Sequence, residues 1–539
     1  MRCHALPVLP RAIAAVLLCV SVVVPAAGAQ RPIDLDAATI PDLQAAMDAG
    51  TLSAETLVQR YLARIAAYDR SGPLIHAVIA LNPNALATAR ALDVERRTKG
   101  RRSPLHGIPF VLKDNYDTQE MPTTGGSVLL EGWVPSKDAE LVRRLRAAGA
   151  IVLAKVNLSE FASGNTYSSL GGQTRNPHDL TRSPSGSSGG TGAAVAASFA
   201  QFGLGTDTGG SIRGPATANG IVALKPTLGL LSRTGIIPLA LSFDTGGPMT
   251  RSVTDLAIAL NVLAGDDPAD AATQKSAGHI ARDYTTLVRP GALRGARIGV
   301  ARDFFGQDPD VDWVMGTALD AMRTAGATLV DVRLPPWVLQ AKDAWYTAIR
   351  YPEFPGQIAR YLAPTGPTYP KSLAEMIART RTVPSLGTNG TGPNASRWTR
   401  FSAELASGDT TGLEYRAVRD YALPLLRELV QGLMTTDSLD AIVYPTSPVK
   451  PALITGGNAA TGPDPMNLAN LLGFPDLMVP AGFTDNRLPV DISFMGPAWS
   501  EPRLIALGYS FEQLTHARRA PVHTPALPGE LATSAGRRP

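Results

Sequence analysis

Three residues of this chain, Lys113, Ser187 and Ser211, are of types that could together carry out nucleophilic chemistry. Both serines lie among glycines, whose backbone adopts positive φ angles freely and lets a ligand approach closely. A serine hydroxyl attacks a carbonyl carbon when a base takes its proton, and a neutral lysine can act as that base. The residue types therefore predict hydrolysis through an activated serine.

The lysine stands at the end of an apolar run, in the segment from Gly107 to Asn115. A lysine that acts as a base near pH 7 must have its pKa lowered by about three units, which corresponds to roughly 4 kcal/mol. Burial between apolar walls can supply that shift. Lys155 also follows an apolar run and is the alternative base, and spacing alone does not separate the two lysines.

The serines bracket one segment, residues 182–213. It is predicted to begin as a Gly/Ser loop from Pro184 to Thr191, to become helical from Ala193 to Phe202, and to return to loop from Gly203 to Ser211. Gly/Ser tracts are usually flexible linkers. A linker is not normally followed at once by an apolar run of small residues suited to packing against a sheet, so this segment is predicted to be a site.

Several motifs resemble the amidase signature family. They are Gly-Ile-Pro-Phe-Val-Leu-Lys-Asp-Asn at 107–115, Ser-Gly-Ser-Ser-Gly-Gly at 185–190 and Gly-Thr-Asp-Thr-Gly-Gly-Ser-Ile-Arg at 205–213. The resemblance spans roughly residues 35–515 and is strongest from 105 to 250. Gly-Ile-Ile-Pro at 235–238, followed by Asp-Thr-Gly-Gly-Pro-Met at 244–249, is most similar to bacterial peptide amidases.

The resemblance implies a Ser-Ser-Lys triad. Ser211 would be the nucleophile, Ser187 would pass its proton to neutral Lys113, and Ser187 would follow a cis peptide bond. Backbone N–H groups would stabilise the oxyanion, and we expect them to come from Ser211 and from Thr208, Gly209 and Gly210.

The elements that must position these residues follow a strand–helix–strand pattern. Residues 107–155 form one such unit and residues 297–334 form another. This pattern predicts parallel strands. We expect an α/β fold: a single large domain, residues 30–519, with a mixed, largely parallel sheet covered by helices, as in the amidase signature fold. Residues 520–539 are predicted to form a loose C-terminal tail.

Residues 1–29 are typical of a secretory signal peptide. They contain Arg2 and Arg11, a 13-residue apolar core from Ala12 to Val24, and an Ala-Gly-Ala cleavage site ending at Ala29. The core is too short for a membrane anchor. We therefore expect a periplasmic or secreted protein without a stable membrane anchor, and both cysteines leave with the signal.

Charge and compartment restrict the partners. The formal net charge is +4, and removal of two arginines with the signal leaves 4 − 2 = +2. That small excess argues against a nucleic-acid partner. The family's tRNA-dependent amidotransferases are disfavoured as well, because an exported chain would not meet aminoacyl-tRNA. The oligomeric state is left open.

The expected function is an exported serine amidase that releases ammonia from a carboxamide through an acyl-enzyme. The C-terminal amide of a peptide is the expected substrate, and an aryl or aliphatic amidase of the same family is the alternative. Neither a cofactor nor a metal is expected, since the histidines are scattered and form no His-Glu-x-x-His motif.

Two alternatives belong to other classes. Residues 186–190 match the Gly-x-Ser-x-Gly elbow of an α/β-hydrolase esterase with Ser188 as nucleophile, and a histidine at 279, 516 or 523 could complete its triad. The polar, proline-containing residues before this motif do not form the buried strand that an elbow needs. An exported peptide-binding protein would explain the signal but not the three candidate residues.

Overall fold

An eleven-stranded sheet runs through the protein, and two further short strands pair only with each other. The computed structural model describes residues 1–2, 33–164, 166–380, 394–456 and 460–530. In chain order the strands are β1 (Val78–Leu81), β2 (Pro109–Lys113), β3 (Ile151–Val156), β4 (Tyr167–Ser168), β5 (Gly172–Gln173), β6 (Phe202–Asp207), β7 (Val222–Lys225), β8 (Thr245–Thr250), β9 (Arg297–Ala301), β10 (Thr328–Val332), β11 (Ala441–Pro445), β12 (Asp476–Phe483) and β13 (Pro489–Met495).

The sheet is mixed, as predicted. Its strand order is β1-β3-β2-β6-β8-β7-β12-β13-β11-β9-β10. The neighbours β3, β2 and β6 are parallel, and so are β11, β9 and β10. The other neighbouring pairs are antiparallel. Both predicted strand–helix–strand units are therefore confirmed, and parallel pairing is confined to the two outer parts of the sheet.

The helices cover this sheet and extend beyond it. In chain order they are α1 (Ile40–Asp48), α2 (Ala54–Tyr68), α3 (Ala85–Lys99), α4 (Glu140–Ala147), α5 (Gly189–Ala196), α6 (Arg213–Asn219), α7 (Val253–Leu263), α8 (Pro309–Thr324), α9 (Pro336–Leu362), α10 (Leu373–Thr380), α11 (Ala395–Ala406), α12 (Leu413–Ala417), α13 (Leu423–Thr436), α14 (Leu468–Leu472) and α15 (Glu501–Thr515). A π-helical turn, Val418–Ala422, joins α12 to α13, and short 3₁₀ turns lie at Val128–Leu130, Glu160–Ala162, Ala271–Ser276, Tyr284–Leu287 and Arg302–Phe304.

Two groups of helices pack on the sheet. α5 and α6 contact each other and the strands β6, β7, β12 and β13, whereas α7, α8 and α15 form a second connected group. Buried apolar residues of both groups and of the sheet make one large core. The helices α9 to α13 lie beside the sheet and contribute to smaller cores of their own.

The prediction of loop from Gly203 to Ser211 is wrong for its first half, because residues 203–207 belong to β6, which has a neighbouring strand on each side. The glycines in this strand make room for close neighbours. A side chain on Gly203 would lie 2.6 Å from Thr191 of α5, and one on Gly205 would lie 2.9 Å from the Ser188 hydroxyl. Glycine in a strand often marks such a close approach. The predicted helix from Ala193 to Phe202 also has other bounds, because α5 spans Gly189–Ala196 and Phe202 is the first residue of β6.

The predicted terminal segments differ in how far the structure describes them. The proposed signal, apart from its first two residues, lies outside the described residues, as do residues 531–539 of the predicted tail. Within the tail, the carbonyl of Thr524 accepts a hydrogen bond from Arg64 of α2, and Glu530 forms an ion pair with the same arginine at 2.7 Å. In the described part of the chain, no helix has the length and apolar character needed to cross a bilayer.

Candidate active site

Lys113 and Ser187 meet at the carboxyl end of β2. The lysine is the last residue of that strand and is fully buried. Its Nζ lies 2.7 Å from Ser187 Oγ, 2.7 Å from Thr206 Oγ1 and 3.3 Å from the Thr206 carbonyl oxygen. Asn115 Nδ2 donates to the same Thr206 hydroxyl at 3.0 Å. A buried amine is thus held beside a serine hydroxyl by neighbouring residues of β6 and of the turn after β2.

Burial lowers the pKa of Lys113 to about 7, although the carboxylates of Asp207 and Asp244 favour its charged form. A neutral amine has two N–H groups and one lone pair. The two N–H groups can donate to the two oxygens of Thr206, which leaves the lone pair for the proton of Ser187. The geometry and the pKa therefore suit a lysine that accepts a proton from Ser187 near neutral pH.

The loop 186–188 carries Ser187 and is hydrogen-bonded to the segment that carries Ser211. The peptide bond between Gly186 and Ser187 is cis. The backbone N–H of Ser188 donates to the carbonyl of Ser211 at 3.1 Å, which ties the two loops together. Ser187 is buried, while Ser211, two residues before α6, is partly exposed. The partly exposed serine is the one that a substrate can reach.

The carboxylate of Asp207 fixes the loop that carries Ser211. One of its oxygens accepts from the N–H of Gly210 at 2.7 Å, and the other accepts from the N–H of Ile212 at 2.9 Å. Arg213 donates to both oxygens at 3.3 Å. Burial opposes ionisation of Asp207, but the guanidinium and these hydrogen bonds hold its pKa below the usual range. The carboxylate is therefore ionised. Its hydrogen bonds hold the loop in place, since the glycines have no side chains that could do so.

The expectation that Gly210 supplies an oxyanion donor is wrong, because its N–H points at Asp207. Among the described residues, the backbone N–H groups of Thr208, Gly209 and Ser211 have no acceptor. These three groups are the donors available to a substrate oxygen. The Thr208 side chain has a contact of its own, since its hydroxyl donates to the buried carboxylate of Asp244 at 2.5 Å.

Comparison with known proteins agrees with this geometry. A family model described as Amidase matches residues 56–505. The chain belongs to the amidase family. It is accordingly an enzyme that acts on carbon–nitrogen bonds of amides, and the resemblance inferred from its motifs is confirmed.

Individual relatives of this amidase match nearly its full length. The structure of peptide amidase from Stenotrophomonas maltophilia is 40% identical and has a TM-score of 0.80, covering 90% of this chain and 98% of its own. An amidase family protein from Bacillus anthracis is 34% identical, with a TM-score of 0.79, and covers 90% of this chain and 92% of its own. A glutamyl-tRNA(Gln) amidotransferase subunit of Chloroflexus aurantiacus is 40% identical over 500 residues, which are 89% of this chain and 98% of that protein.

The alternative lysine of the amidase lies in a different environment. Lys155 Nζ pairs with the Asp114 carboxylate at 2.9 Å and donates to Thr123 Oγ1 at 2.9 Å and to the Pro122 carbonyl at 3.0 Å. Its partners are therefore an anion and two oxygens of the loop after β2. The structure brings Lys113, and not Lys155, to Ser187.

The elbow interpretation does not fit the amidase. The Ser188 hydroxyl is buried, donates to the Thr206 carbonyl at 3.1 Å and accepts from the Thr206 N–H at 3.2 Å. Both its hydrogen-bonding roles are used within β6. One of the proposed triad histidines, His279, stacks on Trp499 with ring centroids 4.9 Å apart. Ser188 thus supports the strand that carries Thr206.

Residues far along the sequence complete the loop of the amidase. Tyr346 of α9 and Asn467 flank Gly209, so that a side chain there would lie 2.7 Å from the Tyr346 hydroxyl and would collide with the Asn467 amide oxygen. Met466 occupies the corresponding space beside Gly210. The aromatic residues of 335–413 gave no sign of which one reaches the site. Asn115 and Asp207, in contrast, belong to motifs that could have marked them.

Proposed function

We propose that the protein is an exported serine amidase that hydrolyses a primary carboxamide through an acyl-enzyme on Ser211. The observation that carries this proposal is the 2.7 Å contact between a fully buried Lys113 amine and the Ser187 hydroxyl. A buried lysine whose amine contacts no carboxylate can be neutral and act as a base. An ion-paired lysine such as Lys155 is suited to a structural role.

In the proposed mechanism, proton transfer from Ser211 to Lys113 accompanies formation of the acyl-enzyme. Ser211 Oγ attacks the carbonyl carbon and gives its proton to Ser187, whose own proton passes to neutral Lys113. The carbonyl oxygen becomes negative and accepts hydrogen bonds from the free N–H groups of the loop, those of Thr208, Gly209 and Ser211. The proton then returns through Ser187 to the nitrogen, the carbon–nitrogen bond breaks and ammonia leaves. Water, activated by the same two residues, releases the acid and restores Ser211.

The C-terminal amide of a peptide is the substrate that we propose. The similarity to peptide amidase, at 40% identity over most of both chains, supports this choice. Aryl and aliphatic amides would use the same catalytic residues and are the alternative. Export to the periplasm or medium is proposed from residues 1–29, whose sequence is typical of a cleaved signal.

A second candidate function is that of an amidotransferase component. The relatives named as glutamyl-tRNA(Gln) amidotransferase subunits are as similar in sequence as the peptide amidase. A component of that kind would act on an amide together with partner proteins and would remain where aminoacyl-tRNA is made. The two candidates therefore differ in substrate, in compartment and in the need for partners.

Ammonia release by the purified full chain separates these functions. The panel should contain peptide amides, simple aryl and aliphatic amides and free glutamine. We expect turnover of peptide amides by the protein alone, with loss of about a thousandfold or more in Ser211→Ala. Lys113→Ala and Ser187→Ala should lose activity strongly at pH 7, and Ser188→Ala is the matched control for the neighbouring serine. Turnover restricted to glutamine would favour the amidotransferase function, and unchanged activity of Ser211→Ala would refute the triad.

A separate expression experiment tests the compartment. The full-length gene is expressed in a Gram-negative host, and the mass of the protein is measured in the periplasmic and cytoplasmic fractions. Loss of residues 1–29 from periplasmic protein is the expected result. Uncleaved protein confined to the cytoplasm would contradict export and would leave the amidase chemistry untouched.

A further inference from the structure

A cavity of about 220 Å³ opens beside the candidate catalytic loops. Three of its lining residues tie it to the site. Ser185 lies two residues before Ser187, and Gly214 donates its N–H to the Gly210 carbonyl at 2.8 Å. Met466, the third, occupies the space beside Gly210. The cavity therefore borders both loops that carry the candidate serines.

The walls of this cavity are largely apolar. They come from α6, from the loops 447–452 and 460–466, and from the start of β13. The apolar side chains of the lining include Ala218, Val311, Pro448, Val449, Met466 and Val490. An apolar pocket of this kind binds hydrocarbon groups because water is released from both surfaces.

Charged side chains at the wall are already paired. Lys450 Nζ contacts the carboxylate of Asp310 at 2.5 Å, and the Asp464 carboxylate accepts from Lys342 Nζ at 3.4 Å and from the N–H of Met466 at 2.9 Å. Neither charge needs a ligand of opposite sign.

Two neutral hydroxyls of the wall are also engaged. The Thr217 hydroxyl accepts from the Asp491 N–H at 3.1 Å, and the Ser447 hydroxyl donates to the Val449 carbonyl at 2.7 Å. A ligand that fills the cavity consequently gains from apolar contact and little from hydrogen bonds to these groups.

We propose that this cavity binds the apolar side chain of the residue whose carboxamide is hydrolysed. The inference rests on the proposed amidase function and extends it to a substrate class: amides of amino acids with large apolar side chains. The leaving group, ammonia, is too small to need such a space. The acyl part of the substrate is the part that varies in size and must be accommodated next to Ser211.

A second cavity beside α9, of about 720 Å³, is the competing location for the side chain. Its lining includes Asp343, Asp409 and Glu414. Three carboxylates make it a poor environment for an apolar group. It offers a matched control, because Ala344 lines it and is exposed.

The test compares substrates that differ only in the acyl side chain. N-acetylated glycine, leucine and phenylalanine amides are assayed for ammonia release by the wild-type chain, Val449→Phe, Val449→Ala and Ala344→Phe. Val449 is partly exposed on a loop, so that a larger side chain can fill the cavity without entering the core. Circular dichroism and unfolding midpoints check that each variant is folded.

We expect the wild-type enzyme to prefer the phenylalanine amide in kcat/KM. In Val449→Phe, the kcat/KM for the phenylalanine amide divided by that for the glycine amide should fall by roughly tenfold to a hundredfold. Val449→Ala should keep or raise that ratio, and Ala344→Phe should leave it at the wild-type value. An unchanged ratio in folded Val449→Phe, or a loss of preference in Ala344→Phe instead, would overturn the proposal.

A second series varies the amine and keeps the acyl part constant, from primary amide to anilide. If Val449→Phe discriminates between amines rather than acyl groups, the cavity binds the leaving group and the proposal is wrong. If the wild-type chain hydrolyses none of the amides, the proposed function fails, and this substrate class fails with it. Turnover with a flat acyl preference in all four proteins refutes the cavity assignment alone.

Discussion

Replacing Lys113 by methionine should abolish turnover and stabilise the fold near neutral pH. Burial lowers the pKa of this lysine from 10.5 to about 7. Between those values the unfolded chain holds one more proton on residue 113 than the folded chain does. The folded state therefore gains about 1.4 kcal/mol for each unit of increasing pH, until the unfolded lysine also becomes neutral. The penalty for burying this lysine is complete below pH 7 and disappears as the pH rises to 10.5.

The size of the effect follows from the same two pKa values. At pH 7 the wild-type fold is penalised by about 4 kcal/mol for the lysine proton, and methionine removes that penalty. The hydrogen bonds of Nζ to Ser187 and Thr206 are lost in the variant, which offsets about 1 kcal/mol each. Lys113→Met should still be the more stable protein by about 2 kcal/mol at pH 7. Its advantage should shrink by about 2 kcal/mol between pH 7 and pH 9.

Urea unfolding followed by tryptophan fluorescence measures this difference at pH 7, 8 and 9. Ser211→Ala is the control, because it is inactive for a different reason and keeps the lysine, so that its stability should parallel that of the wild type. A pH-independent difference between wild type and Lys113→Met would mean that Lys113 has the same protonation in the folded and unfolded chains. That result would refute the assignment of Lys113 as a neutral base. In the wild type, kcat/KM should rise with pH through about 7 for the same reason.

Three further substitutions have defined outcomes. Lys155→Met should lower the free energy of unfolding by about 3–5 kcal/mol, because it leaves Asp114 buried without its ion pair, and a denaturant curve that matches wild type would contradict this. Gly209→Ala should reduce kcat by about a hundredfold or more, since its methyl group displaces Tyr346 and moves an oxyanion donor, and steady-state kinetics on a folded variant measure the loss. Asp207→Asn should lower both kcat and the urea midpoint, and wild-type kinetics in that variant would show that the carboxylate does not hold the loop.

The sequence was sufficient for the features that depend on local pattern. Gly50 and Ser53 are of residue types that commonly end one helix and begin the next. In the structure they lie between α1 and α2, where Ser53 Oγ accepts from the Thr56 N–H at 3.0 Å and Gly50 adopts a φ of 69°. The apolar runs that end at Lys113 and before Asn157 are adjacent parallel strands. Such signals arise from backbone sterics and hydrophobic periodicity, which act over a few residues.

Features that depend on close packing could not be predicted in this way. The glycines of β6 have the composition of a loop, and only the position of Thr191 and Ser188 against the strand explains them. Which of four consecutive N–H groups faces a substrate depends on where the Asp207 side chain points. Tyr346 reaches the loop because α9 packs beside the sheet, and no local pattern around residue 346 records that contact.

The charge network beneath the catalytic loop links its geometry to the protonation of the base. A loop rich in glycine has little side-chain packing, so the rigidity that oxyanion stabilisation needs must come from hydrogen bonds to Asp207. That carboxylate is ionised and buried, and its negative charge favours the protonated form of Lys113. Desolvation is nevertheless the largest influence on Lys113 and keeps its pKa low. Arg213, fully buried and paired with Asp207, keeps that carboxylate ionised although burial opposes its charge. The same arginine therefore maintains the anion on which the geometry of the loop depends, which an apolar residue of equal size could not do.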